Sequence, residues 1–425
     1  MKKIHVFTSA ACNYIPKVRV LLRSIKKWHP EWVIHLALSD EIPEGIDLSD
    51  ELFDEIHPAS ELGIPDFVGW AFCHNIVELS TAIKPFVLKK LLARDDCAGV
   101  IYLDPDMVVF SRLEEVLLAL KDFNIALTPH QTSPEKSLVA IMDNEICSLK
   151  HGIYNLGFIA VSPTDIGKTF ANWWAERLYY FCRDEIPNGL FTDQRWIDLA
   201  PAFFEGVHIL RSSRFNVAPW NLTTRVVTGD INGEVLIDGK PLGFYHFTGF
   251  DSGAHHVMMQ KNSNNNNTAI DLVNWYTGMT SELSKDPLSA VPWSFGSFSD
   301  GSKIPSYARL IYRERVDLQH KFPNPFDSAV ENGGYKTWWQ RRAKKEYPEL
   351  FSTKKQALEL MRIQKALTPG FQAGSTLGAI AISSWGHLRE SLRAPGMLVK
   401  LFNKAWNIFK NEGVSGIAKR IHRLY

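Results

Sequence analysis

Little in this 425-residue chain points outside the ordinary globular class. No apolar run approaches the ~18 residues that a membrane-spanning helix needs. The chain has only five cysteines (Cys12, Cys73, Cys97, Cys147 and Cys182), scattered and without metal-site spacing. That usage fits a reducing cytosol rather than a disulfide framework. The stretch Thr8 to Pro16 contains no glycine, so the phosphate-cradling loop of many nucleotide-binding sheets is missing there. Neither sign of charge dominates, with 47 Lys and Arg against 46 Asp and Glu, a net of +1. With 45% hydrophobic and 22% charged residues, collagen-like and wholly disordered chains are excluded. No recognisable nucleic-acid-binding module is present, so nucleic acid is not an expected partner.

The near-zero net charge conceals an asymmetry. Residues 331–425 carry 17 basic and 6 acidic side chains, a net of +11, whereas residues 1–330 carry 30 and 40, a net of −10. An acidic body with a basic tail is expected. Met1-Lys2-Lys3 followed by Ile4 to Ala11 has the outline of an export signal. However, Asn13, Tyr14 and Pro16 follow at once, and a first β-strand is the better reading.

The first half alternates strand and helix signals. Ile4 to Thr8, Trp32 to Leu38 and Val100 to Leu103 read as strands. Pro16 to Trp28 and Asn75 to Leu92 carry apolar stripes at helical spacing. Such alternation predicts an α/β fold, a mostly parallel sheet flanked by helices, with ligands at the carboxyl ends of the strands. The expected organisation is a body over residues 1–255, an aromatic and turn-rich extension over 256–330, and a basic helical region over 331–425. The Asn-rich Lys261 to Thr268 reads as a loop or boundary.

At the end of the third strand, Tyr102-Leu103-Asp104-Pro105-Asp106 delivers two carboxylates two residues apart. Hard divalent cations prefer such oxygen ligands, and a metal held there neutralises a diphosphate leaving group. Asp-Pro-Asp is equally good turn chemistry. Four further segments fall in order around it: FTSAACNYIPKVRVLLRSIKKWHP (7–30), YNLGFIAV (154–161), Thr192-Asp193-Gln194, and Tyr245-His246-Phe247-Thr248-Gly249.

Taken together these segments resemble the glycosyltransferases of GT-A fold, nearest to family 8, over roughly residues 1–255. The resemblance implies a retaining, metal-dependent transfer of sugar from a nucleotide-diphosphate donor, a UDP-sugar in the family's usual case. It implies Mn²⁺ or Mg²⁺ on Asp104, Asp106 and His246, and donor contacts through Thr8, Ala10, Asn13, Tyr14, Asp104, Asn155, Gly157 and Gly249. It places Gln194 and Asp193 at the reacting carbon, with Gln194 too poor a nucleophile for a covalent intermediate. Two positions depart from the family pattern. The acidic residue that reads the base is here Ala11, and the diphosphate lysine after the H-x-x-G element is here Ser252. Lys84 is a candidate to supply that charge, against the alternative of a solvated helix lysine.

Phe215 to Asn221 is a candidate acceptor-lining stretch for a saccharide or lipid-linked acceptor. Trp293 to Glu314 resembles a segment following the catalytic domain of bacterial enzymes that build cell-surface polysaccharide. Residues 397–425 place Leu398, Leu401, Phe402, Trp406 and Phe409 at helical spacing beside lysines, the pattern of a helix on an anionic membrane surface. A cytoplasmic protein with peripheral contact to the inner face of the membrane is the corresponding location. A sugar nucleotidyltransferase and a non-catalytic carbohydrate-binding scaffold on the same fold are the competing readings.

Overall fold

The computed structural model describes residues 2–330 and 334–352, with residues 355, 356 and 360 beyond them. The membrane-surface pattern at 397–425 lies outside the described residues. The chain divides into two compact units, Met1–Gly296 and Ser297–Tyr425.

The first unit is built on a seven-stranded sheet. In chain order its strands are β1 (Lys3–Ala10), β2 (Val33–Leu38), β3 (Glu55–Pro58), β4 (Cys97–Leu103), β6 (Ile125–Pro129), β7 (Tyr154–Val161) and β8 (Val207–Ile209). A short β5 (Met107–Val109) follows β4, and β9 (Phe244–His246) comes late in the unit. The spatial order is β8-β6-β7-β4-β1-β2-β3. All neighbours are parallel except β7, which runs antiparallel to both β4 and β6. Helices flank the sheet: α1 (Ile15–Trp28), α2 (Ile76–Ala82), α3 (Lys84–Leu92) and α4 (Asp165–Phe181). This is the mixed α/β architecture with a mostly parallel sheet that the strand and helix alternation predicts.

Alternate residues of β1 feed two cores. Val6 packs with Val18, Leu21, Leu22 and Ile25 of α1, while Phe7 packs with Val87, Leu88 and Leu91 of α3 and Phe170 and Trp174 of α4. Each such fully buried side chain contributes about 1.5–3 kcal/mol of transfer free energy. The chain runs β1, β2, β3 outward, then returns to place β4 on the other side of β1. That reversal puts a crevice between the carboxyl ends of β1 and β4, where α/β sheets bind ligands.

Two expectations change in detail. The single stripe Asn75 to Leu92 is two helices, α2 and α3, joined at Ile83. Pro85 has no N–H to continue the ladder, so the helix restarts there. Asn75 caps α2, accepting from Glu78 N while the Glu78 carboxylate accepts from Asn75 N. The first unit also extends past residue 255, to Gly296. Helices α6 (Ala254–Asn262) and α7 (Asn267–Leu283) complete a third core, in which Met259, Leu272, Val273 and Tyr276 join Val20, Val108 and Tyr245. The Asn-rich stretch is an internal turn of this unit, with Asn264 and Asn265 both in the left-handed region.

The described part of the second unit is mainly helical: Ser306–Glu314, Val316–Lys321 and Gly334–Trp338. Tyr335 donates to Ala308 O at 2.7 Å and packs edge-on against Tyr312. Among the described residues no helix is long and apolar enough to cross a membrane.

Candidate active site

A cavity of about 1100 Å³ opens at the carboxyl edge of the sheet, along the crevice between β1 and β4. Four strands of the sheet contribute. Beyond β1 come Ala11, Asn13 and Tyr14; beyond β4, Asp104 and Asp106; beyond β6, His130; and at the start of the antiparallel β7, Asn155 and Gly157.

The acidic pair acquires its third partner through a strand pairing distant in sequence. β9 runs antiparallel to β5, with His246 opposite Met107. Phe247 N donates to Asp106 O at 2.9 Å, closing the pairing on the acidic turn itself. His246 Nε2 then lies 3.1 Å from Asp106 Oδ1 and 3.7 Å from Asp104 Oδ2. The three side chains offer one ligand atom each, all within 4.8 Å of one another. Two carboxylates and one imidazole converging on one point is a donor set that fits Mn²⁺ or Mg²⁺.

The imidazole is held from behind. His246 Nδ1 lies 3.1 Å from Asn155 Oδ1, an atom that also accepts from Gly157 N at 3.0 Å. An amide oxygen only accepts, so the His246 proton sits on Nδ1 and Nε2 faces the carboxylates. Asn155 Nδ2 in turn donates to His130 Nε2 at 3.1 Å, and His130 Nδ1 faces Ile153 O at 3.3 Å. The row Ile153, His130, Asn155, His246 therefore has one assignable direction for every proton. Burial, with His246 adding to it, holds His130 down to about 4, so it stays a neutral acceptor. Gly157 is required for this packing. A Cβ there would stand 2.5 Å from Met107 Cε, 2.6 Å from His246 Cε1 and 2.7 Å from Asn155 Oδ1.

Burial disfavours the charged forms of both His246 and Asp106, but their mutual attraction outweighs it. The imidazole is held above its ordinary value and the Asp106 carboxyl below the usual carboxylate range. Without metal the two form a charged pair, so a cation must displace a proton from His246.

Lys84 sits at the first turn of α3, where the break before Pro85 turns it inward. It is 5% exposed and is not a solvated helix lysine. Its ammonium donates to Asp104 Oδ1 at 3.2 Å, Asp193 Oδ2 at 3.1 Å and Leu156 O at 3.4 Å, and lies 4.2 Å from the Tyr102 ring centre. Burial works against that charge, and the two carboxylates more than restore it. Asp193 is raised by burial despite Lys84. It stands at the N-cap position of α5 (Gln194–Ile197) but makes no capping bond, its carboxylate being turned to Lys84. Thr192 before it is held at φ +44°, a strained conformation for a β-branched residue.

Gln194 is anchored by both ends of its amide: Oε1 accepts from Leu156 N at 3.0 Å and Nε2 donates to His151 O at 2.9 Å. The structure thus brings Ala10, Asn13, Tyr14, Lys84, Asp104, Asp106, Asn155, Gly157, Asp193, Gln194 and His246 around one cavity. Thr8 and Gly249 do not line it. Thr8 is buried within β1, and Gly249 forms a turn at φ +69°. From the acceptor stretch, Trp220 lines the cavity, whereas Phe215 is core and Asn221 is buried in backbone hydrogen bonds. His130 escaped the sequence reading. Its signal is positional, a histidine directly after the apolar strand Ile125–Pro129.

No family model matches the chain. It is 25% identical over 257 residues to the uncharacterised protein YfnD of Bacillus subtilis (strain 168), covering 59% of this chain and 79% of that one. It is 27% identical over 177 residues to YfnF of the same organism, also uncharacterised, covering 41% and 57%. Among solved structures, galactosyltransferase LgtC in complex with donor and acceptor sugar analogues aligns at TM-score 0.39 and 17% identity, over 67% of this chain and 97% of that one. The glycosyltransferase GlyE of Streptococcus pneumoniae TIGR4 aligns at TM-score 0.35 and 14% identity, over 70% and 67%.

Proposed function

We propose that this chain is a metal-dependent, retaining glycosyltransferase of GT-A type. It moves a sugar from a nucleotide-diphosphate donor, a UDP-sugar, to a saccharide or lipid-linked acceptor in bacterial surface-polysaccharide synthesis. The observation that carries the reading is one cavity holding two chemically distinct clusters side by side. Asp104, Asp106 and His246 form a cation site, and Lys84, Asp193 and Gln194 form a buried polar wall joined to it through Asp104.

Mn²⁺ or Mg²⁺ on the first cluster supplies the charge that stabilises a departing diphosphate. The residues of the chain do the rest. Lys84 places a permanent cation beside Asp104, and we read it as the charge that substitutes for the family's diphosphate lysine, whose sequence position is here Ser252. Asp193, fixed by that lysine, orients sugar hydroxyls. Gln194 presents a rigid amide with one free lone pair to the reacting carbon. Such an anchored amide stabilises developing positive charge without bonding to it, which suits front-side transfer with donor and acceptor on one face. Tyr14 and Asn13 offer an aromatic face and an amide to the base.

The acceptor side favours an amphiphile. The helical run from Leu138–Ala140 to Ile146–His151 turns Asn144, Cys147, Ser148 and His151 to the cavity. Its opposite face leaves Leu138, Met142 and Leu149 more than half exposed. Exposed apolar residues on the outer side of a helical run that borders the cavity suit a lipid-linked sugar.

The test is a panel of UDP, GDP, CDP and TDP sugars with Mn²⁺, read by thermal shift and by donor hydrolysis. A cognate donor at 100 times its Kd stabilises by about 2.7 kcal/mol. Asp104→Asn and Asp106→Asn are expected to keep the fold and lose hydrolysis. Near-full activity of either variant in chelator would overturn the metal assignment. A stable complex with a donor that is never hydrolysed or transferred would favour the non-catalytic scaffold.

A further inference from the structure

At the amino edge of the sheet, remote from the cavity lining, a second cluster of chemistry-bearing side chains crosses three strands. His35 on β2 and Glu55 on β3 are register partners, and His57 lies two residues further along β3. All three side chains therefore fall on one face of the sheet. His35 and His57 are fully buried, while Glu55 is about one third exposed on the edge strand. None of them borders the cavity.

The distances are those of a coordination site. His35 Nδ1 and His57 Nε2 are 3.1 Å apart. Glu55 Oε2 lies 3.7 Å from the first and 3.8 Å from the second. A point equidistant from the three atoms is about 2.1 Å from each, the length of a zinc bond to imidazole or carboxylate. We propose that His35, Glu55 and His57 form a second metal site, for a zinc-type divalent ion, which bolts the edge strand β3 to β2.

The surrounding groups have the arrangement a ligand set requires. With Nδ1 of His35 on the metal, its proton resides on Nε2 and donates to His5 Nδ1 at 2.9 Å. His5 Nε2 lies 3.3 Å from Asp96 Oδ1, close enough for charge attraction to back the row. A ligating imidazole backed in this way is oriented and made more basic. Arg94 holds the third ligand, with Nη1 at 2.9 and 3.0 Å from the two Glu55 oxygens and Nε at 3.0 Å from Asp96. Glu55, Asp96 and Arg94 together leave one negative charge before any ion binds. In the metal-free chain the row closes with His57 Nε2–H donating to His35 Nδ1, and on binding that proton shifts to His57 Nδ1, so both histidines ligate as neutral imidazoles. Two imidazoles and one carboxylate favour Zn²⁺ over the harder ions suited to the cavity, and a water completes the tetrahedron at the exposed edge.

The experiment uses the full chain carrying Asp104→Asn and Asp106→Asn, so that the cavity no longer competes. After chelation, Zn²⁺ binding is measured by equilibrium dialysis and the ligand field by the visible spectrum of the Co²⁺ form. One ion per chain and a tetrahedral Co²⁺ spectrum are expected. Adding Glu55→Gln or His57→Gln should weaken binding at least tenfold and abolish the spectrum, with circular dichroism unchanged. Glu55 is at the surface, so its variant tests the site even where His57→Gln disturbs the packing. Absence of bound Zn²⁺ in the parent, or parent-like binding by Glu55→Gln, would overturn the proposal. The readouts are independent of transferase activity, so neither result bears on the function proposed for the cavity.

Discussion

Replacing Lys84 by methionine keeps the length of the side chain and removes its charge. The ammonium serves two carboxylates, but not equally. Asp104 also accepts from the Tyr102 hydroxyl and is one quarter exposed. Asp193 is buried and has the Thr192 hydroxyl, at 3.2 Å, as its other side-chain donor. The unpaired charge therefore falls mainly on Asp193. Removing one partner of a buried pair costs about 3–5 kcal/mol. At about 2–4 °C per kcal/mol, the melting temperature should fall by roughly 6–20 °C.

The pH dependence has a definite sign. Burial raises the Asp193 carboxyl above its ordinary value and Lys84 opposes that rise, so the variant raises it further. The folded variant then retains a proton that the unfolded chain releases, and its stability falls as pH rises above the ordinary carboxylate range. The deficit relative to wild type should be smallest near pH 5 and largest near pH 8 in thermal melts. Mn²⁺ affinity should move the opposite way to stability, tightening several-fold because Asp104 loses a competing cation. A deficit below about 1 kcal/mol, or one that does not grow with pH, would refute a buried charged pair.

Gly157→Ala should drive Asn155 and His246 off their positions and lower Mn²⁺ affinity by about 10–100-fold, measured by calorimetry, with a fall of several degrees in melting temperature because overpacking costs about 1–3 kcal/mol. Asn155→Ala should cost a similar factor because it frees the imidazole, and His130→Leu should cost less because it acts one residue further back. Since His246 is held above its ordinary value, Mn²⁺ affinity should climb as pH rises through that raised value and then level off. Calorimetry in buffers of different ionisation enthalpy should show proton release on binding below the plateau.

What could be read from the sequence was what is local. The apolar run Val100 to Leu103 ending in Asp104-Pro105-Asp106 declares a strand and the acidic turn at its end within seven residues. Lys84 could be named but not placed, because its inward turn depends on the break at Pro85 and on Asp193 arriving more than a hundred residues later. His130 and Asn155 show the limit more sharply. Their relation depends on β6 and β7 lying side by side with Pro129 opposite Tyr154, a register that no spacing in the sequence encodes. The compact unit runs on past 255 because α6 and α7, which follow a turn-rich segment, pack on it: Tyr276 stacks on Phe247 at 3.8 Å and belongs to the same core. The histidines of β1, β2 and β3 carried no motif at all, since what unites them is adjacency across strands.

The pairing of β9 with β5 also sets a clock. The acidic turn leaves the ribosome about 140 residues before His246, and at ~5–20 residues per second that is roughly 7–30 s of synthesis. During that interval the nascent chain holds an acidic turn with no imidazole to complete the proposed cation site. On the proposed function, the cation site would be complete only once residue 246 has been made. A chain stopped short of residue 246 would contain all seven strands of the sheet but not the imidazole, so on the proposed function it is expected to gain nothing from Mn²⁺ at the cavity.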